Sequence, residues 1–149
     1  MTKNIILSLI YFLESNLPDI TIGRQTPEEK KLPAIIVREG DSSYKYIEIG
    51  GKSFTRSISI HLEIFARNDL ERFNLKDSVI TLLKKSDIPL YECDLDNNDN
   101  IIKGDFICYL NVEYLTDYRV ILGEDMSNLD LIDRYRHLIT VKFNLGKIE

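Results

Sequence analysis

The chain contains no tryptophan, only two cysteines, two histidines and four prolines in its 149 residues. Cys93 and Cys108 are too few for a disulfide scaffold and lack metal-ligand spacing, so a reducing compartment and small buried thiols are expected. Seven glycines and four prolines, without any period, exclude a collagen-like or low-complexity chain. Basic residues are not in excess: 19 Lys and Arg face 24 Asp and Glu, and the net charge of -5 argues against a broad basic face that grips nucleic acid. Long apolar runs are also missing. The N-terminal run from Ile5 to Leu13 is far shorter than the roughly 20 residues that span a bilayer, and no small-residue cleavage site follows it. Neither membrane insertion nor export is expected. Gly50 and Gly51 lack the Lys-Ser/Thr helix start of a phosphate loop, and no nucleophile elbow occurs.

What remains is an ordinary globular composition, 44% hydrophobic and 29% charged, sized for a single domain over residues 1–149 with one adequate core. Ile5, Leu9, Phe12, Leu13 and Leu17 recur at helical spacing, flanked by Ile6 and Ile10, and Pro18 stops this opening helix. A short strand from Asp19 to Arg24 and a charged, Pro27-containing connection follow. Pro33 then leads the apolar run Ala34 to Val37, and the turn residues Gly40, Asp41, Ser42 and Ser43 separate it from a second strand, Tyr44 to Ile49. Gly50 and Gly51 make another reversal. From Phe54 to Ala66 apolar and polar residues alternate, the mark of a strand wet on one face, so three strands are expected to form an antiparallel meander.

The period then changes to 3.6. Asn68 and Glu71 have capping-box spacing, Leu75, Val79, Leu82 and Leu83 share a face, and Pro89 prevents continuation beyond a helix over about 69–86. Two further strands are expected, about 105–115 with Phe106, Cys108, Leu110, Val112 and Tyr114 in one phase, and about 135–145 with His137, Ile139, Val141 and Phe143 in one phase. Between them the segment 116–134 is too long for a hairpin loop and holds the apolar triplet Val120, Ile121 and Leu122. The expected class is α+β: a mostly antiparallel sheet with an N-terminal helix and one helix packed on the sheet.

Reactive constellations are thin. Asp94, Asp96, Asn98, Asp99, Asn100 and Asp105 imitate a calcium loop, but Asp99 stands where glycine is needed and Asp105 where a bidentate glutamate is needed, so a solvated turn is preferred. The same acids in a small magnesium-dependent nuclease form a lesser alternative. His61 and His137 lie inside strand patterns, without a convergent partner visible in the sequence, and a structural role is expected for both. No catalytic residue, metal or cofactor is therefore expected. Tyr44, Lys45, Tyr46 and Tyr114, Tyr118, Arg119 interleave aromatic and basic residues, but on an acidic chain they fit strand packing or a protein interface better than base stacking.

The order of elements, the run Leu32-Pro33-Ala34-Ile35-Ile36-Val37, and the stretch Ser57 to Ala66 leading into the 69–86 helix resemble the tail terminator and tail completion proteins of tailed bacteriophages. The resemblance spans most of the chain. It implies a non-enzymatic virion protein of the tail or neck, assembled in the host cytoplasm. Such a protein would form a homo-oligomeric, hexameric ring that caps the tail tube protein and joins it to a head-tail connector or stopper protein. DNA would pass through the ring without specific binding, which an acidic subunit suits. On this reading Gly40 to Ser43, Gly50, Gly51 and the 116–134 connection, with Val120, Ile121 and Leu122, are the expected contacts to neighbouring subunits or the tube. Docking of the apolar triplet on its own sheet stays open, as does a peptide-binding adaptor that uses a sheet edge.

Overall fold

A computed structural model describes residues 1–46, 54–123 and 129–148. The chain is α+β. Among the described residues ten elements follow in order: α1 (Thr2–Asn16), β1 (Thr21–Gly23), a 3-10 turn (Glu29–Lys31), β2 (Ala34–Tyr46), β3 (Phe54–Ala66), α2 (Asp69–Lys85), β4 (Ile88–Leu95), β5 (Ile101–Val120), α3 (Leu131–Arg134) and β6 (Tyr135–Ile148). The six strands form one mixed sheet in the order β1-β2-β3-β6-β5-β4, with β1 parallel to β2 and the other neighbours antiparallel.

The sheet curves around α1, which touches β1, β2, β4 and β5. This explains why the N-terminal run is apolar on more than one stripe: Leu7, Ser8 and Ile10 are buried along with Ile5, Leu9, Phe12 and Leu13. A helix enclosed by a sheet has little solvent face to supply with polar residues. Ser8 is the polar member of this set, and it serves β4, accepting from the Tyr91 N–H (2.9 Å) while Asn4 one turn earlier accepts from Cys93 N–H (3.0 Å). Helix α1 therefore satisfies backbone donors of the terminal strand β4 that would otherwise invite another strand.

Helix α2 lies against β3, β5 and β6. Asn68 caps it by accepting from Glu71 N–H at 2.8 Å. The reciprocal half of the box is shifted by one residue, because the Glu71 carboxylate takes the Arg67 N–H (2.9 Å) and guanidinium (2.6 Å) instead of the N–H of Asn68. The core joins both helices to Ile58, Ile60, Leu62 and Ile64 of β3 and Ile139, Val141 and Phe143 of β6, all sealed from solvent. On the opposite face a small second cluster, Leu32, Ala34, Ile36 and Phe65, is covered by Leu131 and Ile132 of α3.

Three expectations about the chain's path are corrected. Gly40, Asp41, Ser42 and Ser43 do not form a turn: β2 runs through them, with one extra residue between Glu39 and Ser42 relative to β3. The expected three-strand meander is thus a pair of long strands. The 116–134 connection is also shorter than its sequence suggested. Strand β5 continues to Val120 and α3 begins at Leu131, so β5 has 20 residues instead of the expected stretch 105–115. Finally, Tyr114 does not share a face with Leu110 and Val112. A register shift between Val112 and Tyr114 moves Tyr114 opposite Lys142, whose ammonium lies 5.3 Å from the ring centre, on the wet side of the sheet. A bulge reverses the alternation of everything after it.

Candidate functional site

Gly40 sits where β2 bulges. A Cβ there would lie 2.8 Å from the Ser59 carbonyl oxygen and 2.9 Å from Nε2 of His61, so the strands approach too closely for any side chain. This assigns Gly40 a packing reason that needs no partner molecule. Gly40→Ala is expected to destabilise the fold by about 1 to 3 kcal/mol by overpacking, measured by urea unfolding. A stability equal to that of the parent would return the residue to a purely interfacial role. Gly50 and Gly51 lie outside the described residues.

The apolar triplet is divided by the end of β5. Val120 is half-buried in the sheet opposite Arg136, whereas Ile121 is 67% exposed and Leu122 38% exposed just beyond it. Ile121 and Leu122 therefore stay largely in water, while Val120 is part of the sheet itself.

At the other end of β5 is an apolar surface that the alternation pattern did not reveal. Strand β6 accompanies β5 only as far as the pair Asn111 and Asn144. Beyond this, Gly146 takes φ +80 and donates its N–H to Asn144 Oδ1 (2.8 Å), which turns β6 away. The hairpin of β4 and β5 then continues alone. Ile102, Phe106, Ile107 and Tyr109 are all exposed on it, and a cleft of about 550 Å³ opens in the split, lined by Leu90, Tyr109, Leu110 and Leu145 among others. Tyr11, Tyr91, Phe106 and Tyr109 form a chain of edge-to-face rings with centroids 5.0 to 6.1 Å apart, and the Lys103 ammonium sits 4.7 Å from the centre of the Tyr91 ring. Cys108, expected to be buried, is exposed for the same reason: its neighbour on the β6 side has left.

No family model matches the chain, and no curated protein matches it. Its reading therefore rests on the residues themselves.

Within the acidic segment 94–105, residues 96–100 form a turn held by the Asp96 carboxylate, and the others belong to β4 and β5. Oδ1 of Asp96 accepts from the N–H groups of Asn98 (2.8 Å) and Asn100 (2.9 Å), and Asp99 adopts φ +60. Those hydrogen bonds hold the Asp96 carboxyl below its ordinary value. Its oxygens are engaged in closing the turn, and among the described residues no group of three His, Cys, Asp or Glu side chains is placed to hold a metal ion.

His137 has convergent partners that the sequence did not show. It is 4% exposed, beneath the first turns of α2. Its Nδ1 lies 2.9 Å from Nη1 of Arg72 and its Nε2 2.7 Å from Oδ1 of Asp117. An arginine can only donate, so Nδ1 accepts and the ring proton sits on Nε2, facing the carboxylate. Burial pushes the imidazole below the ordinary histidine value, against the pull of Asp117 in the other direction. Arg72, itself 4% exposed, also donates to Asp69 (3.2 Å); Lys76 lies 3.7 Å from Asp117, and Arg119 lies 3.8 Å from Asp69. Sequence could have offered only the arginine at an apolar helical position, one turn before Leu75. His61, by contrast, meets Thr140 (3.0 Å) on the wet face of the sheet.

Proposed function

We propose that this chain is a structural ring subunit of a tailed bacteriophage. In this reading it caps the tail tube, stops its growth and joins it to the connector or stopper on the head side. The observation that carries the reading is the placement of two separate exposed apolar surfaces on one long strand: Ile102, Phe106, Ile107 and Tyr109 near the start of β5, and Ile121 with Leu122 beyond its end. A surface at each end of a subunit suits head-to-tail contacts, which close into a ring when the rotation between copies closes. Exposed apolar side chains gathered in this way mark association surfaces. The mostly antiparallel sheet with its N-terminal helix and one helix packed on it belongs to the same reading. So do a virion location, assembly in the host cytoplasm, the absence of an enzymatic role and a lumen that lets DNA pass unbound. The net charge of -5 favours such a lumen, because DNA phosphates are repelled by it.

Electron microscopy of the purified protein tests the proposal. Rings with a central hole, sixfold in projection, are expected; a monodisperse monomer at micromolar concentration would sink it. A second reading draws on a different feature. Because β1 covers only Ala34 to Ile36, β2 from Val37 onward has no partner on that side among the described residues, and an extended peptide can add there. Charged residues and the bulge around Gly40 oppose this, since both are features that discourage edge pairing.

A further inference from the structure

We propose that Arg72, His137 and Asp117 form a protonation-sensitive latch that holds α2 on the sheet and releases it in mild acid. The geometry allows only one neutral arrangement. Arg72 donates to Nδ1 at 2.9 Å, so Nδ1 has no room for a proton of its own. When the imidazole gains that proton, two donors on two cations face each other at hydrogen-bond distance, and the contact between α2 and β6 must open. Asp117 favours the imidazolium, but its oxygen is shared with Lys76 at 3.7 Å. The charged groups that face the ring are thus Arg72, Asp69 and Lys76 from α2 and Asp117 and Arg119 from β5; the residue opposite His137 on β3 is Ile64, which is apolar. The imidazolium then becomes the fourth cation of a cluster that already holds Arg72, Lys76 and Arg119.

The latch matters because, with fewer buried residues than α1, helix α2 is the more lightly held of the two. Its buried residues are Leu75, Val79, Leu83 and Arg72 itself, against seven buried positions on α1. Arg72 is one of these four anchors and stands nearest the helix N-terminus, so its repulsion from His137 acts on the end where the helix would begin to lift. Opening would uncover Leu75 and the β3 and β6 residues beneath it. The sign follows from the lowered imidazole value. Stability from this group is complete above the ordinary histidine range near 6.5 and is lost as pH falls below it, because the released state takes up a proton that the latched state refuses. This inference is independent of the ring reading, since it concerns the folded subunit alone.

Hydrogen exchange of the full chain from pH 7.5 to 5, corrected for intrinsic rates, tests it. Amides of 69–85 are expected to lose protection by up to about tenfold per pH unit below about 6.5, the limit for one proton. Those of β3 should be unchanged. His137→Gln keeps an acceptor for Arg72 and a donor for Asp117 but cannot take the proton, and its α2 protection should be flat across the range. Protection of α2 that is constant in the parent, equal loss in β3, or an undiminished loss in His137→Gln would each overturn the proposal. If that variant fails to fold, the parent still decides. The chain has two histidines, so the imidazole signal of His137 is separable by NMR with His61→Gln as reference. Titration of His137 at the pH where α2 loses protection supports the latch, and titration without that loss refutes it.

Discussion

Replacing Ile60 with alanine is expected to cost about 2 to 5 kcal/mol of unfolding free energy, seen as a lower urea midpoint with unchanged slope. Ile60 is fully buried in β3, paired with Val141 on one side and with the bulged stretch of β2 on the other. Its removal leaves a cavity between two strands whose positions are fixed by neighbours on both sides, so the site has little freedom to collapse. His61, one residue later, points to the wet face and holds Thr140 at 3.0 Å. Its replacement by alanine loses one half-exposed hydrogen bond and is expected to cost about 1 kcal/mol. Equal losses at the two positions would mean that the inward phase of β3 is assigned wrongly.

The double replacement Ile121→Ser and Leu122→Ser is expected to leave the subunit within about 0.5 kcal/mol of its parent stability, as for surface positions generally. Assembly should respond very differently. If these side chains anchor a subunit contact, their loss should weaken it by at least about 2 kcal/mol, roughly thirtyfold, and rings should give way to monomers in light scattering. Val120 is left in place because it belongs to the sheet beside Arg136, and changing it would confuse folding with assembly. A folded variant that still assembles at parental concentration removes this segment from the interface. The exposed residues of the β4 and β5 hairpin would then be the next to test. A variant that unfolds would show that Ile121 and Leu122 support their own subunit, which also contradicts the assembly role.

Much of the architecture was legible from local pattern. The alternation from Phe54 to Ala66, the cap at Asn68, the helical face of Leu75, Val79 and Leu83, and the phase of Ile139, Val141 and Phe143 all express constraints that act within one element. Each is fixed by the geometry of its own backbone, with one face toward apolar neighbours. The path around Gly40 was misread because glycine followed by Asp and two Ser marks a turn as readily as a bulge. What chose the bulge was the partner strand, whose Ser59 carbonyl comes within 2.8 Å of the space a side chain would fill.

The polar cluster shows the same division more sharply. Arg72, Asp117 and His137 are separated by 45 and 20 residues, and each alone reads as a solvated charge or a satisfied histidine. Only the pairing of β5 with β6 and the docking of α2 over both set Asp117 and Arg72 within 2.9 Å of His137. The sequence by itself determined the α+β class, the phases of β3 and β6 and where α1 and α2 stop, because hydrophobic period and capping are local. The tertiary structure decided where β5 parts from β6, which apolar residues remain in water and which imidazole meets an arginine. Those outcomes depend on distances between segments far apart in the chain, and no local period encodes them.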